Sequence, residues 1–230
     1  MTIYYTADWH LNHENLIKRK ARKASSVVEI NELIISNVNE VVGEQDTLYI
    51  LGDLTMSNAE NLRALMDMLQ SVKCKNIQVL KGNHDSLHDL AILKGNKIIN
   101  NWHTFKTITD TAFGIEIPVA LSHYPILDYH SRVEPMLCLH GHSHGCLKPR
   151  PIDLFDVGVD VWNFKPVTLE QILSAYYGDH ANPYTNYVEQ LRNYRIKYIQ
   201  FMELECSSAH VPRETILPHC IIDYMESTNV

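Results

Sequence analysis

The chain has 230 residues and a mass of 26.5 kDa, with 45% hydrophobic and 20% charged residues. That is the balance of one globular α/β domain able to bury its own core, so disulfide or metal staples are not needed for folding. A net charge of −7 argues against wrapping duplex nucleic acid, and the absence of a long apolar run argues against a membrane span.

The hydrophobic pattern predicts the elements in chain order. Ile3–Thr6 reads as a short buried strand that ends in a polar loop over residues 7–13. Residues 14–23 read as a helix with a basic face at Lys18, Arg19, Lys20, Arg22 and Lys23. That face is by default solvated, or else attracts a polyanionic substrate. Ser26 is placed to cap a second helix running to about residue 42, with Ile30, Leu33, Ile34 and Val38 at helical spacing. Residues 46–51 form a second strand leading directly into Gly52-Asp53, and residues 58–72 a third helix. A strand at 77–80 runs into Gly82-Asn83-His84-Asp85, and a short helix follows at 86–93.

Residues 105–111 and 115–121 pattern as a β-hairpin around Phe113-Gly114, and its second strand enters Ser122-His123. Strands at 136–139 and 154–161 complete the core, the former running into Gly141-His142-Ser143-His144. A helix is expected over 168–177, a longer amphipathic one over 184–203, and a closing strand over 216–224. Seven of the 12 tyrosines lie beyond residue 175, a composition suited to core or to an interface.

Cysteine and histidine usage narrows the chemistry. The five cysteines are odd in number, widely spaced and without a CxxC pair, and the N-terminus has no signal pattern. Reduced thiols and a cytoplasmic location are therefore expected. The 13 histidines cluster in loop-like segments that follow strands. In α/β sheets, sites form outside the carboxyl ends of strands, so loops distant in sequence can converge there.

Five segments offer metal-type ligands: Asp8-x-His10, Gly52-Asp53, Gly82-Asn83-His84-Asp85, His123 and Gly141-His142-x-His144. Two carboxylates, one amide oxygen and four imidazoles exceed what one tetrahedral zinc requires. They suffice for two adjacent cations if a carboxylate bridges. The mixed N/O set without sulfur suits Mn, Fe, Co, Ni or Zn and disfavours Ca or Mg cages. Two such ions form a clamp for in-line displacement at phosphorus, with water as the nucleophile. The bland alternative makes Asp8 and Asn83 simple helix caps. His140 reads as a strand-end residue rather than a ligand. His180, Cys206, His210, His219 and Cys220 are too irregularly spaced to suggest a second site.

The ordered pattern D-x-H, G-D, G-N-H-D, H, G-H-x-H resembles the calcineurin-like metallophosphoesterases. The segments ADWHLNHENLI, DTLYILGDL, LSHYPI and VGVDVWNFKPVTLEQI resemble their small single-domain members in bacteria and phages. The resemblance covers about residues 1–173, leaving 174–230 as an extension packed on or extending that domain.

It implies a four-layer β-sandwich of two mixed sheets flanked by helices, here with a helical C-terminal extension. It implies that Asp8, His10 and His144 hold one metal, that Asn83, His123 and His142 hold the other, and that Asp53 bridges. Manganese is the expected activating ion, with iron, nickel, zinc and cobalt as the other candidates. His84 is expected near the leaving group, as an acid or in orienting substrate. Asp85 is expected to orient His84 or cap the next helix. His13 is expected to contact phosphate, or else to serve as a cap.

Trp9 and Asn12 depart from the family pattern, and Trp9 is expected to crowd the site or stack on a base. The implied activity is hydrolysis of a soluble phosphoester by attack of a metal-bridging hydroxide, with phosphodiesters or nucleotides favoured. A phosphomonoesterase, a protein phosphatase or a non-enzymatic module of the same fold are the alternatives. The expected partner is a small phosphorylated substrate, and the extension offers a homodimer contact.

Overall fold

Short apolar runs and capped amphipathic helices alternate in the computed structural model. It describes residues 1–18, 22–56, 59–126, 136–147 and 154–177. Their elements are β1 (Ile3–Thr6), α1 (Glu14–Lys18), α2 (Val27–Val41), β2 (Thr47–Ile50), α3 (Ala59–Gln70), β3 (Asn76–Leu80), α4 (Leu87–Gly95), β4 (Asn101–His103), β5 (Phe105–Ala112), β6 (Ile115–Ser122), β7 (Leu137–His140), β8 (Leu154–Asp156) and α5 (Leu169–Tyr177). The helix and strand expected beyond residue 177, and the dimer contact expected there, lie outside the described residues.

Local chemistry sets the boundaries. The Ser26 hydroxyl accepts from Glu29 N at the start of α2, and the Glu29 carboxylate accepts from Ser25 N at 2.8 Å. This reciprocal pairing satisfies amides that the first helical turn leaves without partners. Ser86 caps α4 through its hydroxyl, which accepts from His88 N and Asp89 N. Phe113 (φ 53°) and Gly114 (φ 75°) form the two-residue turn between β5 and β6. Positive φ at both turn positions matches the twist of an antiparallel hairpin.

Two sheets of four strands result, ordered β1-β2-β3-β4 and β5-β6-β7-β8. The first is parallel throughout, and Val167 adds an antiparallel bridge to Tyr5 at its edge. The second combines an antiparallel hairpin with parallel β6-β7-β8 pairing. Leu48, Ile50, Ile77 and Val79 bury one face of the first sheet against Ile30, Ile34 and Val38 of α2, Leu65 and Leu69 of α3, and Leu90 and Leu93 of α4. Burial on both faces explains why β2 reads as a continuous apolar run.

The opposite face meets the second sheet. Tyr5 stacks on Tyr49, and its hydroxyl donates to Asp110 on β5 at 2.7 Å. The arrangement is therefore an α/β sandwich of two sheets flanked by helices. Cys74 and Cys146 are free thiols, and no described helix is long and apolar enough to cross a membrane.

Two expectations are corrected, and one strand is added. Of the helix expected over 14–23, the described α1 covers Glu14–Lys18, and Arg22 is buried and not on a solvated face. Arg22 is only 4% exposed, because Asp160 and two backbone carbonyls bind its guanidinium. The strand expected over 154–161 stops at Asp156, whose carboxylate accepts from Gly158 N and turns the chain. β4 was not anticipated, since Asn101-Trp102-His103 is short and only half-buried.

Candidate metal centre

Six loops leave the carboxyl ends of β1, β2, β3, β6, β7 and β8, and they carry all seven predicted ligand residues. Backbone bonds tie them together: Asp8 N donates to Gly52 O, His10 N to Asp53 O, Gly141 N to His123 O and Val159 N to Ala7 O. Asp8 (φ 59°), His10 (48°), Asp53 (56°), His142 (68°) and His144 (48°) all occupy the left-handed region. Such a conformation costs a non-glycine residue roughly 1–2 kcal/mol and persists only where surrounding structure enforces it. Close approach also requires glycine at two positions. A Cβ on Gly82 would lie 2.1 Å from Asp53 Oδ1, and one on Gly141 2.8 Å from Asp8 Oδ2.

The side chains assemble into adjoining groups. Ligand atoms of Asp8, His10 and His144 lie within 4.8 Å of one another, as do those of Asp53, His123 and His142. A third such group, His10, Asp53 and His84, connects them, so Asp53 stands at the junction. Its Oδ2 is 3.6 Å from His10 Nε2 and 3.4 Å from His123 Nε2. Asn83 Oδ1 lies 2.9 Å from both His123 Nε2 and His142 Nδ1. Asp8 is fully buried and accepts from His142 N at 2.9 and 3.0 Å.

The tautomers decide whether this donor set fits cations. His123 Nδ1 donates to Leu51 O at 2.8 Å, so the neutral ring turns a bare Nε2 toward Asp53 and Asn83 oxygens. His144 Nδ1 donates to Asp160 Oδ2 at 2.6 Å, so its bare Nε2 faces His10 Nε2 at 3.3 Å. Lone pairs aimed at one another repel unless a proton or a metal ion lies between them. Bonds of about 2.1 Å to a common ion place neighbouring ligands about 3.0–3.4 Å apart. The residues therefore fit a divalent ion in each group. Outer partners that fix the donor nitrogen are the usual support of such ligands.

Metal-free electrostatics agree. Burial disfavours charge on His123, but the neighbouring Asp53 carboxylate prevails and raises its pKa. The hydrogen bond to Asp160 raises that of His144. Burial lowers His10 to about 3 and raises Asp8 to about 7. Burial also opposes ionisation of Asp53, yet His123, the His84 amide and His10 together hold it at about 2. Without a cation, the buried carboxylates of Asp8 and Asp53 thus depend on the surrounding imidazoles for positive charge.

The remaining predicted residues fall into place around these groups. His84 is about one-third exposed, with Nε2 4.0 Å from Asp53 Oδ2 and its ring edge-on to His10. His13 is half-buried, its ring centroid 5.5 Å from that of His10 and 6.2 Å from that of His84. It lines a pocket of about 490 Å³ together with Asn12, Asn15 and Lys18. Asp85 neither orients His84 nor caps α4. Its carboxylate accepts from the amides of Asp53, Leu54 and Gly82 at 2.8–2.9 Å and locks two ligand loops together. Trp9 does not crowd the site, because its ring is fully buried in the core and its Nε1 donates to Thr6. His140 is buried and donates to Gly141 O.

Sequence reasoning missed two carboxylates. Asp156 accepts from Ser143 Oγ and Gly145 N and braces the His142–His144 loop. Asp160 binds His144 and Arg22. The available signal was their position, as two charges inside the otherwise apolar run 154–161.

The family model described as calcineurin-like phosphoesterase matches residues 1–201. An uncharacterized protein of Methanocaldococcus jannaschii is 32% identical over 74% of this chain and 89% of its own length. A probable cyclic nucleotide phosphodiesterase of Coxiella burnetii is 29% identical over 48% of this chain and 40% of its own length. The crystal structure of an Aquifex aeolicus protein of unknown function shares the fold, with a TM-score of 0.55 at 24% identity over 74% of this chain and 96% of that one.

Proposed function

Because the chain belongs to the calcineurin-like phosphoesterases and is a phosphoester hydrolase, we propose that it works with two divalent transition-metal ions on a small phosphodiester or nucleotide. The observation that carries this reading is the pair of ligand groups meeting at Asp53, with the Nε2 atoms of His10 and His144 3.3 Å apart and that of His123 3.4 Å from Asp53. Asp8, His10 and His144 would hold one ion, Asn83, His123 and His142 the other, and Asp53 both. When bound, two such ions lower the pKa of water and neutralise the phosphoryl oxygens, which removes the need for a serine or cysteine nucleophile.

The protein's own groups do the rest. Asp85 and Asp156 fix the loops that present the ligands. His84, partly exposed beside Asp53, is placed to give a proton to the departing oxygen. An alkoxide leaving group gains most from such a donor, which favours diesters over activated monoesters. His13 borders the pocket next to this position and would meet the phosphate or the group attached to it. Similarity to the probable cyclic nucleotide phosphodiesterase of Coxiella burnetii also supports a cyclic nucleotide.

The test is turnover of bis-p-nitrophenyl phosphate against p-nitrophenyl phosphate with added manganese, followed by a panel of cyclic and linear nucleotides. Preference for the diester is expected. Equal activity in wild type and Asp53→Asn would defeat the proposal.

A further inference from the structure

Arg22 is a buried guanidinium, and its contacts form a pattern. Nη1 donates to Trp9 O at 2.7 Å, and Nη2 donates to Asp8 O at 2.6 Å. Nε and Nη2 also form a fork on Asp160, at 2.8 and 2.9 Å. Asp160 Oδ2 in turn accepts from His144 Nδ1 at 2.6 Å. The guanidinium lies 5.5 Å from the Phe164 ring centroid, which closes it on another side.

These bonds reach every member of one ligand group. Asp8 is held by its own carbonyl, and His10 through the peptide it shares with Trp9. His144 is held through Asp160. The two held by carbonyls sit at φ 59° and 48°, where enforcement is needed. None of the bonds reaches Asn83, His123 or His142, and His123 takes its orientation from Leu51 O instead. A fold staple would show no such selectivity, and buried ion pairs are in any case weak sources of stability because desolvation offsets their attraction.

We infer that Arg22 and Asp160 are positioning residues for one ion of the pair, the ion bound by Asp8, His10 and His144, and leave the other ion's ligands untouched. The inference rests on the two-ion reading above. A bidentate fork is what this task needs, since a lysine ammonium cannot hold a carboxylate and two carbonyls in one plane.

The experiment is calorimetric titration of metal-stripped full-length protein with Mn²⁺, alongside the Co²⁺ absorption spectrum and the metal count after gel filtration. Wild type should take up two ions. Asp160→Asn and Arg22→Lys should keep one ion at wild-type affinity and weaken the other about 10–100-fold. Thermal unfolding of each variant checks that it is folded. Asp160→Glu retains the ion pair and moves the carboxylate by one methylene, so it supplies the same reading if Asp160→Asn does not fold. Folded variants that bind both ions like wild type, or lose both equally, would overturn the inference alone. A wild type that binds fewer than two ions would remove the two-ion reading and this inference with it.

Discussion

The Nε2 atoms of His10 and His144 lie 3.3 Å apart although 134 residues separate them in the chain. Each is carried by a residue in the left-handed conformation, and the His144 ring is held by Asp160, whereas the buried His10 Nδ1 has no partner among the described residues. Two nitrogens at that distance need either one N–H proton or a metal ion between them. Several measurable consequences depend on the metal.

Metal binding should compete with protonation of Asp8. Its carboxyl is raised by burial from 3.8 to about 7. A raised carboxyl contributes stability below its unfolded pKa, and that contribution is lost as pH rises through the folded value. The metal-stripped protein should therefore lose Asp8's contribution between about pH 4 and 7. The increase in Tm on adding Mn²⁺ should grow from pH 6 to pH 8, because the ligand must be ionised. Scanning calorimetry with and without chelator checks this, and a Tm increase independent of pH would contradict it. Asp8→Asn should abolish the metal-dependent part.

Asp53→Asn should lower kcat/KM by at least about 100-fold, since stabilisation by two cations amounts to several kcal/mol. The same variant should bind fewer ions than wild type. Steady-state kinetics and metal analysis together check the claim, and retention of full activity would refute it.

Asp85→Ala should leave three backbone amides without their acceptor. A cost of about 3 kcal/mol is expected from burying unsatisfied donors once served by a carboxylate. Urea unfolding would reveal it as a lower midpoint at unchanged slope. A variant as stable as wild type would mean that water replaces the carboxylate.

Gly82→Ala should act on the site more than on the fold. The added methyl would stand 2.1 Å from Asp53 Oδ1. Asp53 or the Asn83 loop must then move, and Mn²⁺ affinity should fall by at least about 10-fold. Calorimetric titration decides the matter.

His84→Ala should leave metal stoichiometry intact and reduce activity according to the leaving group. Loss of a proton donor costs about 100-fold or more with an alkoxide leaving group. With p-nitrophenolate, which needs little help, the loss should be much smaller. Equal losses for both would assign His84 to substrate placement, and loss of an ion would assign it to the metals.

Much of the fold was legible in the residues themselves. Apolar runs such as Leu48–Ile50 inside β2, turn residues such as Phe113-Gly114 and the cap Ser26 report local burial and local bonding. Those quantities act over a few residues, so sequence carries them. The candidate ligands were legible because each follows the end of a strand, and parallel strands deliver their ends to one place.

The supports were not legible. Periodicity says that a charge is out of place but not which partner holds it. Arg22 looked like one more base on a solvated helix until the fold set Asp160, 138 residues away, within 2.8 Å. Trp9 looked like a ligand-side ring until the fold enclosed it, and Asp85 looked like a partner of His84 until two loops brought it three amides. The amino-acid order alone determined the candidate ligand types and the strand ends that carry them. Only tertiary structure decided which polar groups meet, because buried charges and amides must find partners wherever the packed chain supplies them.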